Sequence, residues 1–233
     1  MPVAPRQVGY GEAAPSLIGR DVEVETRAAY YDTAPACAFA FLPTGAFGGQ
    51  ARRQQVAEAL AAHFGPRLGS VVPAQQVRLA ERALALDATR AEHRGHLGRH
   101  LRCPAVLHAE PFGSGDLYAG VWTQARVGLA LELRQADGGQ LLWRARHIAT
   151  RNAGGLPLSP LGAAGEAVAA AAFQADPEVP ASLLHDAVRR LAAALPPVPG
   201  RGARGAHTQS PSFAYPVKLR ATHSPSSFSG AVK

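Results

Sequence analysis

Two cysteines, one methionine and two tryptophans are all that 233 residues hold of those types. Two cysteines cannot build a disulfide framework, so the chain is not a small stapled scaffold. No run of about 18 apolar residues occurs, so no transmembrane helix is encoded. The Ala-rich stretch from Ala167 to Phe173 is too short for one and follows Glu166. No positively charged start leads into an apolar stretch, so the N-terminus does not read as a secretory signal, and no lipobox cysteine lies near it. Lysine is confined to Lys218 and Lys233, and there is no internal repeat.

Catalytic signatures are equally sparse. Gly113-Ser114-Gly115 lacks the spacing of a nucleophile elbow and precedes a hairpin rather than joining a strand to a helix. Glu110, Asp116 and Asp137 fall at turns or strand ends, where solubility and turn geometry account for them. The loop from Thr44 to Gly49 lies between a strand and a helix, where a phosphate loop would lie. It lacks the Lys-Ser/Thr pair that clamps phosphate and magnesium, and it is not G-x-G-x-x-G. Residue chemistry alone therefore reveals no function, and no cofactor is expected.

What is present is a foldable body with a basic end. Hydrophobic residues make up 47% and charged residues 18%, which suits a packed core. The net charge of +7 comes from 24 basic and 17 acidic residues. Five of the basic residues (Arg201, Arg204, Lys218, Arg220, Lys233) and none of the acidic ones lie in 197–233. The body therefore carries 19 against 17 and is nearly neutral. The end is rich in Pro, Gly and Ser without apolar period, so 197–233 reads as a disordered basic tail. Residues 1–20 read as a loose arm, and 21–196 as one α/β domain.

Within that domain, Val22, Val24 and Thr26 alternate with acids and suggest a short edge strand. The apolar run over 36–42 suits a strand buried on both faces. A helix follows over 50–68, with Val56, Leu60, Phe64 and Leu68 on one stripe and Gly65-Pro66 placed to bend or end its last turn. Residues 70–73 read as a short strand, 74–86 and 89–101 as helices, 104–109 as a strand, and 111–116 as a turn. Over 121–133, Thr123, Ala125, Val127, Leu129, Leu131 and Leu133 alternate with a more polar set, the period of a long strand with one face in the core. Asp137-Gly138-Gly139 is a tight-turn signal. The return strand over 140–150 places Leu141, Trp143 and Ala145 on the core face and Arg144 and Arg146 on the other. Residues 152–160 read as a loop, and 161–175 and 180–195 as helices. This order predicts a mixed sheet, with a parallel crossover half and a long antiparallel hairpin, flanked by helices.

Three groups of residues carry the remaining functional signal. Cys37 and Cys103 sit in apolar contexts, which fits buried thiols or one disulfide between neighbouring strands. His93, His96 and His100 share one helix face, and His108 follows on the next strand. Such imidazoles can hold a transition metal, but Arg90, Arg94, Arg99 and Arg102 surround them, and a solvated polar face is the plainer reading. Trp122, Arg126, Arg144 and Arg146 fall on the outer face of the hairpin, where Trp and Arg favour an interface.

The segment from Leu97 to Thr150 resembles the CsgG-like and TolB amino-terminal-like group of bacterial envelope proteins. Within that group it is most similar to a lipoprotein family of unassigned function found beside CsgG-like proteins. The likeness rests on the ACAFAFLP opening strand, on LGRHLRCPAVL, and on Leu131, Leu133, Asp137, Gly138, Leu142 and Trp143. It spans roughly residues 36–195 and implies a TolB amino-terminal-like fold. It also implies a non-enzymatic envelope protein at the periplasmic side of the outer membrane, which helps assemble or export a surface polymer or joins an oligomer. Protein partners or self-association are then expected, with no specific nucleic acid. Two alternatives stand beside it: a small-ligand or metal module using the His face, and a weak nucleic-acid binder acting through the basic tail.

Overall fold

The computed structural model describes residues 6–11, 21–118, 122–154, 165, 168–169, 171–173, 176 and 178–198. Among the described residues eight strands form one sheet. They are β1 (Arg6–Gly9), β2 (Asp21–Thr26), β3 (Ala38–Phe41), β4 (Val71–Val72), β5 (Ala105–Pro111), β6 (Gly115–Tyr118), β7 (Trp122–Gln135) and β8 (Leu141–Gly154). Among the described residues five helices accompany them: α1 (Ala28–Thr33), α2 (Gln50–Leu68), α3 (Ala74–Leu84), α4 (Ala91–Leu101) and α5 (Glu178–Ala193). The strand order is β1-β2-β8-β7-β5-β3-β4, with β6 also paired to β7. β3 runs parallel to β4 and β5, and β7 runs antiparallel to β5 and β8. The mixed α/β sheet with a parallel crossover half and a long hairpin is therefore present.

The core has two parts because the sheet has two faces. On one face the odd residues of β7 (Ala125, Val127, Leu129, Leu131, Leu133) meet the stripes of α2 and α5. Trp143 is fully buried there and packs edge-on against Phe64 of α2, with ring centroids 5.9 Å apart. On the other face α3 and α4 cover β3 and β5 through Phe39, Val77, Ala80, Leu97 and Val106. β3 contributes to both, with Ala38 and Ala40 on one side and Phe39 on the other, as its continuous apolar run requires.

Several boundaries differ from the sequence reading, each for a local reason. The arm over 1–20 contains β1, which pairs in parallel with β2, so β2 is an interior strand rather than an edge. The expected turn over 111–116 continues into β6, because the chain resumes pairing with β7 after a short excursion. Pro66 sits inside α2 without ending it, since Leu68 is still buried in the core. In β8 the register shifts at Leu133/Arg134. Leu142 takes the extra position and is buried, while Leu141 is only half-buried. β8 also runs on to Gly154, into the expected loop. The hairpin turn itself is as expected: Gly138 and Gly139 both have positive φ, 72° and 66°, which Gly adopts without cost. The tail from 199 onward and most of the helix over 161–175 lie outside the described residues.

The cysteines resolve to the disulfide. Cys37 precedes β3 and Cys103 precedes β5, and the parallel register sets Ala38 opposite Ala105. The two Cα atoms are 4.9 Å apart and the thiols are joined, so the buried-thiol reading is corrected. The loop closed by this bond, 66 residues in sequence separation, corresponds to a stabilisation of about 4 kcal/mol in a chain-entropy account.

Candidate interaction face of the sheet

Arg126, Arg144 and Arg146 lie on the face that α3 and α4 only partly cover, and the side chain of Trp122 lies outside the described residues. Register alone builds this face. Glu25 of β2 lies opposite Arg144 of β8, Arg144 opposite Glu132 of β7, Glu132 opposite His108 of β5, and His108 opposite Phe41 of β3. A second row sets Glu23 opposite Arg146 and Arg146 opposite Ala130. Charge alternates along the first row, and directly opposed unlike charges stabilise a sheet.

The arginines are engaged rather than free. Arg144 donates from Nε to Glu25 at 2.6 Å, and Arg146 donates from Nε to Glu23 at 2.8 Å. The Tyr10 ring lies 4.0 Å from the Arg144 guanidinium and 4.9 Å from that of Arg146, and Phe112 lies 4.7 Å from Arg146. Each guanidinium thus has a carboxylate at its edge and an aromatic ring at its face. The Glu23 hydrogen bond raises the Arg146 pKa against the effect of burial. Arg134 donates to Glu132 at 2.8 Å and to the Gly139 carbonyl at 3.0 Å. Side chains of these pairs remain about a quarter to a third exposed, except Glu23 at 12%.

His108 closes the row. Its ring stacks on Phe41 with centroids 5.1 Å apart, and the Arg94 guanidinium covers Phe41 at 5.2 Å. Burial lowers its pKa, opposed by Glu110 and Glu132. Glu110 Oε1 is 3.4 Å from His108 Nε2, close enough for attraction, but the buried Nε2 makes no hydrogen bond. A neutral imidazole is consistent with both facts.

A segment that sequence reasoning missed lies across the same face. Phe112 donates its N–H to the Gly128 carbonyl at 2.9 Å, and Gly128 donates to Ser114 Oγ at 3.0 Å. A Cβ on Gly128 would stand 1.8 Å from the Phe112 carbonyl oxygen. A lone glycine on the polar side of a long alternating strand was the available signal.

The predicted residues are therefore partly gathered. Arg144 and Arg146 sit side by side, Arg126 is further along β7 opposite Thr150, and Trp122 opens β7 opposite Gly154. Arg126 has no ion pair among the described residues. The His face is not gathered. His93 Nδ1 accepts the Asp87 N–H at 3.0 Å, His96 contacts Arg99, and His100 is exposed. Among the described residues no group of three or more His, Cys, Asp or Glu is set to hold a metal ion. No described helix is long and apolar enough to cross a membrane.

No family model and no curated protein matches the chain. Among solved structures it is similar to the lipoprotein GNA1162 from Neisseria meningitidis, at 18% identity and a TM-score of 0.39, over 60% of this chain and 98% of that one. It is also similar to PelC, solved as a dodecamer from Paraburkholderia phytofirmans, at 16% identity and a TM-score of 0.38, over 75% of this chain and 98% of that one.

Proposed function

We propose that this chain is a non-enzymatic cell-envelope module of CsgG-like and TolB-like kind, which joins an oligomeric complex through the outer face of its sheet. One observation carries the envelope part of the reading: the Cys37–Cys103 bond between neighbouring strands. Disulfides persist in oxidising compartments such as the periplasm and are rare in a reducing cytosol. A periplasmic site at the outer membrane and a part in assembling or exporting a surface polymer belong to the same proposal. They rest on the resemblance of residues 36–195.

The outer face suits docking because it is partly exposed and pre-ordered. Arg144 and Arg146 are already held by Glu25 and Glu23, so little of their side-chain entropy remains to be lost on contact. Charge reversal at Arg144 or Arg146 would break the sheet's own pairs as well as a contact. Arg126 is the cleaner probe. The expected outcome is that the full chain scatters light as a multimer and that Arg126→Glu shifts it toward the monomer mass with unchanged thermal stability. A monomer for the unsubstituted chain, or no change in mass on substitution, contradicts the docking face.

A further inference from the structure

A second feature lies at the other end of the sheet and does not depend on the docking reading. The chain leaves β3 into α2, whose stripe joins the core on one face. It leaves β4, the parallel neighbour of β3, into α3, whose Val77 and Ala80 join the core on the opposite face. Adjacent parallel strands whose carboxyl-end connections part to opposite faces open a crevice between them, and ligands of α/β sheets bind in such crevices. A cavity of about 370 Å³ fills this one.

Its wall is cationic in a specific way. Arg53 enters from α2, and Arg78 and Arg82 enter from α3, with Thr44 from the turn after β3. None of the three guanidiniums has a side-chain partner among the described residues, and the Nε of Arg53 is buried without one. Two carboxylates also line the cavity, so the three arginines leave it an excess of one positive charge, and each carboxylate has one oxygen engaged by a backbone N–H. Glu81 accepts the Ala88 N–H at 2.8 Å, and Asp87 accepts the Thr89 N–H at 2.9 Å. A buried guanidinium N–H without an acceptor is costly, and the planar fork of Arg matches the two oxygens of a carboxylate or phosphate group.

We propose that this crevice binds a small organic oxyanion, whose carboxylate or phosphate oxygens accept hydrogen bonds from Arg53, Arg78 and Arg82. The site differs from a phosphate loop. Side chains supply the donors, so no Lys-Ser/Thr signature is needed in the loop before α2. The cavity volume admits a ligand the size of a sugar acid or a tricarboxylate.

Calorimetric titration of the full chain with inorganic phosphate and, separately, with citrate tests this. The expected result is saturable binding of at least one anion, weakened about tenfold or more by Arg53→Ala and by Arg78→Ala. The exposed Arg67→Ala, outside the cavity, leaves it unchanged. The same anion should raise the melting temperature of the unsubstituted chain and not that of Arg78→Ala. If Arg53→Ala or Arg78→Ala fails to fold, Arg82→Ala, at an exposed position, decides the matter. Phosphate binding alone assigns a phosphoryl ligand, and citrate binding alone a carboxylate ligand. Binding of neither anion, or binding that survives all the cavity substitutions, overturns the proposal.

Discussion

Three histidines, one buried and two partly covered, couple this molecule to pH. His147 is 2% exposed, donates its Nδ1–H to the Asp21 carbonyl at 2.7 Å, and leaves Nε2 buried without a partner. His63 faces His185 across α2 and α5 at 3.4 Å between ring nitrogens. Burial lowers the pKa of His147, His63 and His108 alike, with His185 and Arg189 adding to the effect at His63. In the unfolded chain all three take up protons near pH 6.5, the ordinary histidine value. The unfolded state therefore binds more protons below that pH. The stability contributed by keeping these rings neutral is complete above about pH 6.5 and is lost as the pH falls toward the folded pKa values. Urea unfolding is expected to show a lower midpoint at about pH 5.5 than at about pH 7.5, with part of the difference removed in His147→Gln. Equal midpoints would contradict a neutral buried set. None of this was legible in the sequence, because the carbonyl that orients His147 lies 126 residues away and His185 lies 122 residues from His63.

At the scale of elements, the long hairpin shows what periodicity conveys and what it omits. Over 123–133, the described part of the segment, the alternation identifies the core face of β7 correctly, because a two-residue period maps directly onto a two-sided sheet. It does not reveal the partners of the outer face. Glu25 and Glu23 reach Arg144 and Arg146 only through the antiparallel placement of β2 beside β8, a separation of 119 and 123 residues. The bulge at Leu142 was hidden because Leu141-Leu142-Trp143 is apolar throughout and gives no parity to read. β6 was hidden because Gly113, Ser114 and Gly115 speak first as turn residues. Gly128 ties β5, β6 and β7 together at the point where the 112–114 segment lies across the strand. Gly128→Ala forces a Cβ against the Phe112 carbonyl, so either β7 or the 112–114 segment must move. A loss of about 2–3 kcal/mol is expected in chemical unfolding, in the range of overpacked cores. A loss below about 0.5 kcal/mol would mean that the crossing is loose.

For the molecule as a whole, two sheet-end features complement each other. The amino ends of β3 and β5 are fastened by Cys37–Cys103, and the carboxyl ends of β3 and β4 open into the arginine-lined crevice. The fastening was one of two readings open in the sequence. Strand order decides between them, since parallel neighbours that each begin just after a cysteine bring both thiols to one sheet end. The crevice was not legible, because Arg53, Arg78 and Arg82 are scattered along two helices. The topology alone makes them one wall. The central claim is that the chain works outside a reducing cytosol, and it is tested most directly by its thiols in the cell. Cells are quenched in acid, and the protein is denatured and alkylated before and after reduction. The account predicts that Cys37 and Cys103 resist alkylation until reductant is added. Complete alkylation of both before reduction would contradict it.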